Sequence, residues 1–166
     1  MPRIVCALAA LILLNGCAGY RLGTTLPEGL RSIYVPTIVN STGEPDLEQA
    51  VTQAVIAEFQ QDGTVDITTA ENADLVLEAT VTRYQLETIG FRSDRATTAD
   101  EFRIRLYANI VVKRSADRST FLRRSGVEGE TTFILAGDMR SAKREALPGA
   151  AEDLAHDIVE AVVEHW

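Results

Sequence analysis

Arginine, tyrosine and a single well-placed cysteine are the residues of this sequence whose types and spacing point to chemistry. Arg103, Arg105 and Tyr107 stand two apart, and residues two apart on a strand project from the same face. Arg92 and Arg95 lie just upstream, beside Phe91. Guanidinium groups bind phosphate through paired hydrogen bonds, so several on one face can hold an anionic head group. The alternative is a solvated strand face whose arginines pair with Asp94, Asp100 and Glu101. Catalytic machinery is otherwise lacking. The two histidines, His156 and His165, are nine apart near the end of the chain, and no partner set for Ser–His or Cys–His nucleophilic catalysis accompanies them. Glu152 and His156 are four apart, but two ligands make no metal site, and an i,i+4 surface pair is the simpler reading. Asp94, Asp100 and Glu101 have no apolar setting that would drive their acidities apart. Gly23, Gly29 and Gly43 form no phosphate loop. The sequence therefore reads as that of a non-enzyme with no metal and no cofactor.

Cys17 follows an uncharged apolar run, Ile4 to Leu14, that is preceded by Arg3 and closed by Asn15-Gly16. A charged start, a short apolar core and small residues before a cut describe a secretory signal peptide, and the run is too short to span a bilayer. Leu14-Asn15-Gly16-Cys17 resembles the lipobox of bacterial lipoproteins, although Asn15 is not the usual small residue at its position. The resemblance implies residues 1–16 as a removed signal peptide and 17–166 as a single periplasmic domain, with covalent lipid on Cys17. Cys6 would leave with the signal peptide, so no disulfide is expected and the core must hold the domain together. Two or more acyl chains anchor a domain stably without any spanning helix.

The formal charge of −8 is unevenly spread. Ten basic and five acidic residues fall between Arg83 and Arg124, against five basic and nineteen acidic in the rest of the chain after residue 16. An acidic body argues against nucleic acid, whose binding depends on phosphate neutralisation. The basic segment argues for an anionic ligand or an acidic protein surface.

The elements that must position these residues follow from hydrophobic period. Ser32–Ile38 reads as a strand confined by Pro36 to an edge or an end. Asn40–Pro45 is turn material, with Pro45 suited to a first helical position. Leu47, Ala50, Val51, Ala54, Val55 and Phe59 form one helical face, stopped by Asp62-Gly63. Thr64–Thr69 reads as a short strand. Three long strands follow, Leu75 toward Leu86, Phe102–Val112 and Ser119–Phe133, with Gly126 and Gly129 as candidate bulges. Ala151, Leu154, Ala155, Ile158, Val162 and Trp166 mark a last helix, with Pro148 separating or kinking the turn before it. The predicted fold is α+β, a two-layer sandwich with both helices on one face of a mostly antiparallel, mixed sheet of about four to five strands.

Several short motifs occur in a fixed order: Cys17-Ala18-Gly19-Tyr20-Arg21-Leu22, Leu30 to Pro36, Asn40-Ser41-Thr42, Glu44-Pro45, Ala73 to Val81 and Ala151 to Ala155. Together they resemble the LPS-assembly lipoproteins (LptE). The resemblance implies an outer-membrane lipoprotein of a Gram-negative bacterium, anchored by its acyl chains and facing the periplasm and a barrel lumen. In that role it plugs, and helps assemble, the β-barrel that delivers lipopolysaccharide to the outer leaflet. Its partners would be the barrel LPS-assembly protein and lipopolysaccharide itself, with Arg92, Arg95, Arg103, Arg105 and Tyr107 as candidate ligand or barrel contacts. Ala18, rather than an aspartate, after the cysteine favours passage to the outer membrane by the same analogy. The alternative is a periplasmic interaction lipoprotein of the peptidoglycan-synthase-activator or curli-secretion type. Against it stand the three long strands and a structured region that begins near Ile33, too close to Cys17 for a long reach.

Overall fold

Pro36 decides how the sheet begins. The computed structural model describes residues 30–91 and 99–165, so Cys17, Arg92, Asp94, Arg95 and Trp166 lie outside the described residues. The expected first strand is divided at the proline into β1 (Ser32–Tyr34) and β2 (Val39–Asn40), because proline has no N–H to give to a ladder. Both pieces pair in parallel with β4 (Leu75–Phe91), Ile33 opposite Leu75 and Val39 opposite Thr80. Between β2 and β4 the chain folds α1 (Leu47–Asp62) and β3 (Asp66–Ile67), and β3 pairs in parallel with β1. β1, α1 and β3 thus form a parallel strand–helix–strand unit.

β5 (Ala99–Arg114) and β6 (Thr120–Ile134) complete an antiparallel three-stranded ribbon with β4. Among the described residues the sheet has six strands in the order β3-β1-β4-β5-β6, with β2 alongside β4. α2 (Met139–Val163) closes the described chain. It packs on β5 and β6 and against α1, which in turn contacts β2 and β3. Two helices on one face of a mixed sheet make the fold α+β, as the hydrophobic pattern requires.

The core is the dry side of that sheet. Leu75, Leu77, Ala79 and Val81 of β4 and Phe102 through Val112 at alternate positions of β5 are buried, and they meet Leu47, Val51, Val55 and Phe59 of α1. Among the described residues no polar or charged side chain is buried as a whole. A register shift between Val81 and Arg83 leaves Thr82 as a bulge, which reverses the side-chain parity of β4. Tyr84 and Leu86 therefore return to the helix side, opposite Leu106 and Ile104.

Three local expectations are corrected. α1 starts at Leu47 with Asp46 as its cap, so Pro45 precedes the helix instead of opening it; Gly63 ends it as expected, its N–H donating to the Phe59 carbonyl at 3.0 Å. α2 is one continuous helix from Met139 through Pro148, capped by Asp138, which accepts from the Ser141 N–H at 2.9 Å. The turn before Pro148 is therefore not separate: the cap and the buried Ala142 and Leu147 hold it within the helix, although Pro148 has no N–H for an intrahelical bond. Gly126, at φ +71°, does lie at a register shift of β6. Gly129 pairs regularly with Leu106, and its role is different. A Cβ there would lie 2.2 Å from the Leu154 backbone nitrogen, so glycine is what lets α2 settle onto the sheet.

Candidate functional site: the open sheet face

With both helices on one side, the other face of the ribbon is left to polar side chains. Arg103, Arg105 and Tyr107 project from it together, as alternation on β5 requires. The register sets Arg83 opposite Tyr107, Glu87 opposite Arg103, Glu128 opposite Tyr107 and Glu130 opposite Arg105. Arg105 Nε donates to Glu130 Oε2 at 3.0 Å and lies 3.4 Å from Glu128 Oε1. Its other end reaches Glu87 Oε1 at 3.6 Å. Arg103 lies 3.6 Å from Glu130 Oε2, while its Nε is buried without a hydrogen-bond partner among the described residues. The Tyr107 hydroxyl donates to Glu128 Oε1 at 3.2 Å, and the Arg83 guanidinium sits over the Tyr107 ring, 3.9 Å from its centre.

This arrangement is a cross-strand ladder of alternating charge. Three arginines (Arg83, Arg103, Arg105) meet three glutamates (Glu87, Glu128, Glu130), so the cluster is formally neutral. The Glu130 hydrogen bond, then the field of Glu87 and Glu130, raises the Arg105 pKa further above its ordinary value. A phosphate approaching Arg103 or Arg105 must compete with carboxylates already in place. The arginine face is therefore real, but what it presents is a charge-paired polar surface rather than bare positive charge.

Two of the five candidate contact residues, Arg92 and Arg95, fall outside the described residues, and so does Cys17. Sequence reasoning missed Arg83, Glu87, Glu128 and Glu130 as members of the cluster. It looked for carboxylates close by in the chain, whereas these come from neighbouring strands and need the register to be found. His156 is likewise held across the fold: its Nδ1 lies 2.9 Å from Glu58 Oε1 of α1, not paired with Glu152 one turn away. That bond, and then the nearby carboxylates of Glu58, Glu160 and Asp157, raise the His156 pKa. Among the described residues no group of three His, Cys, Asp or Glu side chains is placed to hold a metal ion. Among those residues, too, no helix is long and apolar enough to cross a membrane.

At the far end of the ribbon, Leu86, Ile89, Phe91 and Ile134 are exposed, and Phe102 and Phe133 stack with ring centres 5.6 Å apart. At the other end Asp74 ties β4 to the start of β1. Its carboxylate accepts from the N–H groups of Arg31 and Ser32 at 2.9 and 3.0 Å and from the Ser32 hydroxyl at 2.8 Å. These bonds, the Arg31 N–H first, hold its pKa below the usual carboxylate range.

Comparison with known proteins adds to this geometry. The sequence model of the family described as LptE, lipopolysaccharide-assembly, matches residues 30–162. No curated protein matches the chain. Among solved structures, a protein from Xanthomonas campestris superposes with a TM-score of 0.59 at 11% identity, covering 86% of this chain and 89% of its own. A hypothetical protein from Chlamydia trachomatis gives 0.56 at 9% identity, with 81% and 96% covered. A minor lipoprotein from Acinetobacter baumannii gives 0.53 at 11% identity, with 81% and 94% covered. At such identities these likenesses speak for the fold alone.

Proposed function

We propose that this chain, which belongs to the lipopolysaccharide-assembly family LptE, acts without catalysis as an outer-membrane lipoprotein that plugs the lipopolysaccharide translocon barrel and helps it assemble. The observation that carries the reading is the open sheet face. Barrel lumens are polar, and a plug needs an outer surface that is polar without carrying a large unpaired charge. The ladder from Arg83 to Glu130 supplies this, while the helices keep the apolar side dry. Cys17 is the proposed lipid attachment point, residues 1–16 the proposed signal peptide, and 17–166 the proposed mature domain.

Direct contact with lipopolysaccharide is the finer part of the proposal. Arg92 and Arg95 remain the sequence's candidates for a phosphate contact, whereas the charge of Arg103 and Arg105 is already opposed by Glu87, Glu128 and Glu130. The family match favours this role over a periplasmic activator or curli-type lipoprotein.

The test is affinity purification of the full chain from detergent-solubilised outer membrane, with identification of what accompanies it. An outer-membrane β-barrel in stoichiometric amount is the expected result. A periplasmic enzyme, or no barrel, would overturn the reading. Arg92→Gln with Arg95→Gln should weaken lipopolysaccharide binding and leave the barrel attached, whereas Arg103→Gln with Arg105→Gln should act on the barrel contact.

A further inference from the structure

We propose that the outer edge of β4 beyond Val81, with the basic groove beside it, docks an extended acidic segment of a partner protein, which joins the sheet as an added strand. The inference goes beyond the plug reading and does not depend on it. β2 accompanies β4 only as far as Asn40 opposite Val81, and the last backbone bond on that side runs from the Ser41 N–H to the Val81 carbonyl at 2.9 Å. Asn40 then turns the chain away, its Oδ1 accepting from the Thr42 N–H and hydroxyl at 2.9 and 2.7 Å. β4 runs on to Phe91, and among the described residues no strand pairs with this stretch except β5 on its other side. A row of unpaired N–H and C=O groups is a template for strand addition.

Against this edge, on the helix side, lies a groove of about 590 Å³ lined by Pro45, Tyr84 and Leu147, the cations Arg140, Lys143 and Arg144, and the carboxylates of Glu44 and Asp46. The bulge at Thr82 is what turns Tyr84 into it. The three cations occupy the first turns of α2, where the helix dipole disfavours positive charge, so helix stability does not account for them. Lys143 is held by Glu44 at 2.7 Å and lies 5.1 Å from the centre of the Tyr84 ring. The Tyr84 hydroxyl is buried and has no hydrogen-bond partner among the described residues, although buried hydroxyls ordinarily have one. In a chain of net charge −8, this lining carries one net positive charge, three cations against Glu44 and Asp46; with Lys143 already answered by Glu44, Arg140 and Arg144 are the groups that select an acidic occupant. The open backbone edge selects a peptide, because a lipid head group cannot match its alternating donors and acceptors. An added strand would set alternate side chains into the groove, with a carboxylate against Arg140 and Arg144 and an acceptor for Tyr84.

The test uses the full chain in detergent and two synthetic probes, an alternating Val/Glu peptide and its Val/Lys counterpart, read by amide hydrogen exchange. The Glu peptide should slow exchange along residues 83–89, and the Lys peptide should not. Arg140→Glu with Lys143→Glu and Arg144→Glu should weaken the Glu peptide by at least about tenfold; Arg140→Gln alone, which touches no buried contact, should weaken it less and guards against a folding defect. Equal effects of the two peptides, or unchanged exchange at 83–89 with the Glu peptide in excess, would overturn the proposal. So would protection of that edge before any peptide is added, which would mean the chain covers it itself. Inorganic phosphate reproducing the perturbation at Arg140 and Lys143, with no protection along β4, would reassign the groove to a small anion.

Discussion

The two faces of the β4–β5–β6 ribbon are built from the same strands by opposite rules. On the helix side, Leu77, Val81, Ile104, Leu106, Ile110 and Val112 are removed from water. Their stabilisation comes from apolar burial and close packing, which tolerate neither gaps nor excess volume. On the open side, Arg83, Arg103, Arg105 and Tyr107 answer Glu87, Glu128 and Glu130, and each contact is partly exposed and individually weak. The difference teaches that the fold is held by one face and leaves the other free to be specified by a partner. Mutations on the two faces should therefore separate stability from recognition.

The largest effect should come from breaking the dry face at its closest approach. Gly129→Val places a side chain where 2.2 Å already separates an ideal Cβ from the Leu154 nitrogen. Neither backbone can yield without lifting α2 from β6, so the loss should exceed the roughly 1–3 kcal/mol of ordinary overpacking. The expected result is a chain without a cooperative melt by circular dichroism. A variant that melts like the parent would mean that α2 is not seated as described.

Adjacent residues on β5 sharpen the contrast. Ile104 is fully buried, and Ile104→Ala should cost about 2–5 kcal/mol through lost burial and the cavity left behind. Arg105, the next residue, faces the other way. Arg105→Gln should shift Tm by no more than about 2 °C, while leaving Glu87, Glu128 and Glu130 in excess and so, on the proposed function, weakening co-purification of a barrel. Denaturant melts of both variants, with co-purification of the second, check the pair. A large loss of stability from Arg105→Gln would place the ladder among the elements that hold the fold.

How much of this was legible beforehand depends on the range of the signal. The strict alternation of Phe102 to Val112 and the helical spacing of Leu47, Val51, Val55 and Phe59 are local, and both gave the right faces. The division at Pro36 was half legible: proline at an edge was expected, but not that Val39 and Asn40 resume pairing on the same neighbour. Gly129 resembled a bulge glycine because a sequence does not show which helix will lie on it. The ladder was hidden for the same reason. Arg105 and Glu130 are 25 residues apart, and only strand register brings them together.

Asp74 tests whether a polar contact can matter when it organises backbone. It accepts three hydrogen bonds from Arg31 and Ser32, fixing β1 against β4 at a strand start where those donors have no ladder partner. Asp74→Asn keeps the shape and loses the charge, and should cost about 1–2 kcal/mol at neutral pH, as for hydrogen bonds to a charged acceptor. Its lowered pKa sets the sign with pH. The stabilisation is complete above the unfolded value of about 3.9 and fades as pH falls through the lower folded value. The melting difference between parent and variant should thus shrink on acidification; a difference independent of pH would show that the ionised carboxylate is not what caps β1.

The smallest effect belongs to the outer surface of the helix pair, where His156 of α2 meets Glu58 of α1 at 2.9 Å. The side chain is largely exposed, so the contact adds little to the packing beneath it. Its sign with pH is nevertheless the reverse of that of Asp74. A histidine whose pKa is raised in the folded state contributes fully below its unfolded value of about 6.5, and the contribution is lost as pH rises through the higher folded value. Glu58 holds the proton first through the hydrogen bond and then through charge, joined by Glu160 and Asp157. The advantage of the parent over His156→Gln should therefore be present at pH 6 and decline as pH rises through the higher folded value. A proton NMR titration should place His156 above the usual histidine value, and Glu58→Gln should bring it back down. A titration at or below the ordinary value would remove this bridge from the contacts that join the helices, and would leave their alignment to Val55, Phe59, Val159 and the rest of the apolar seam.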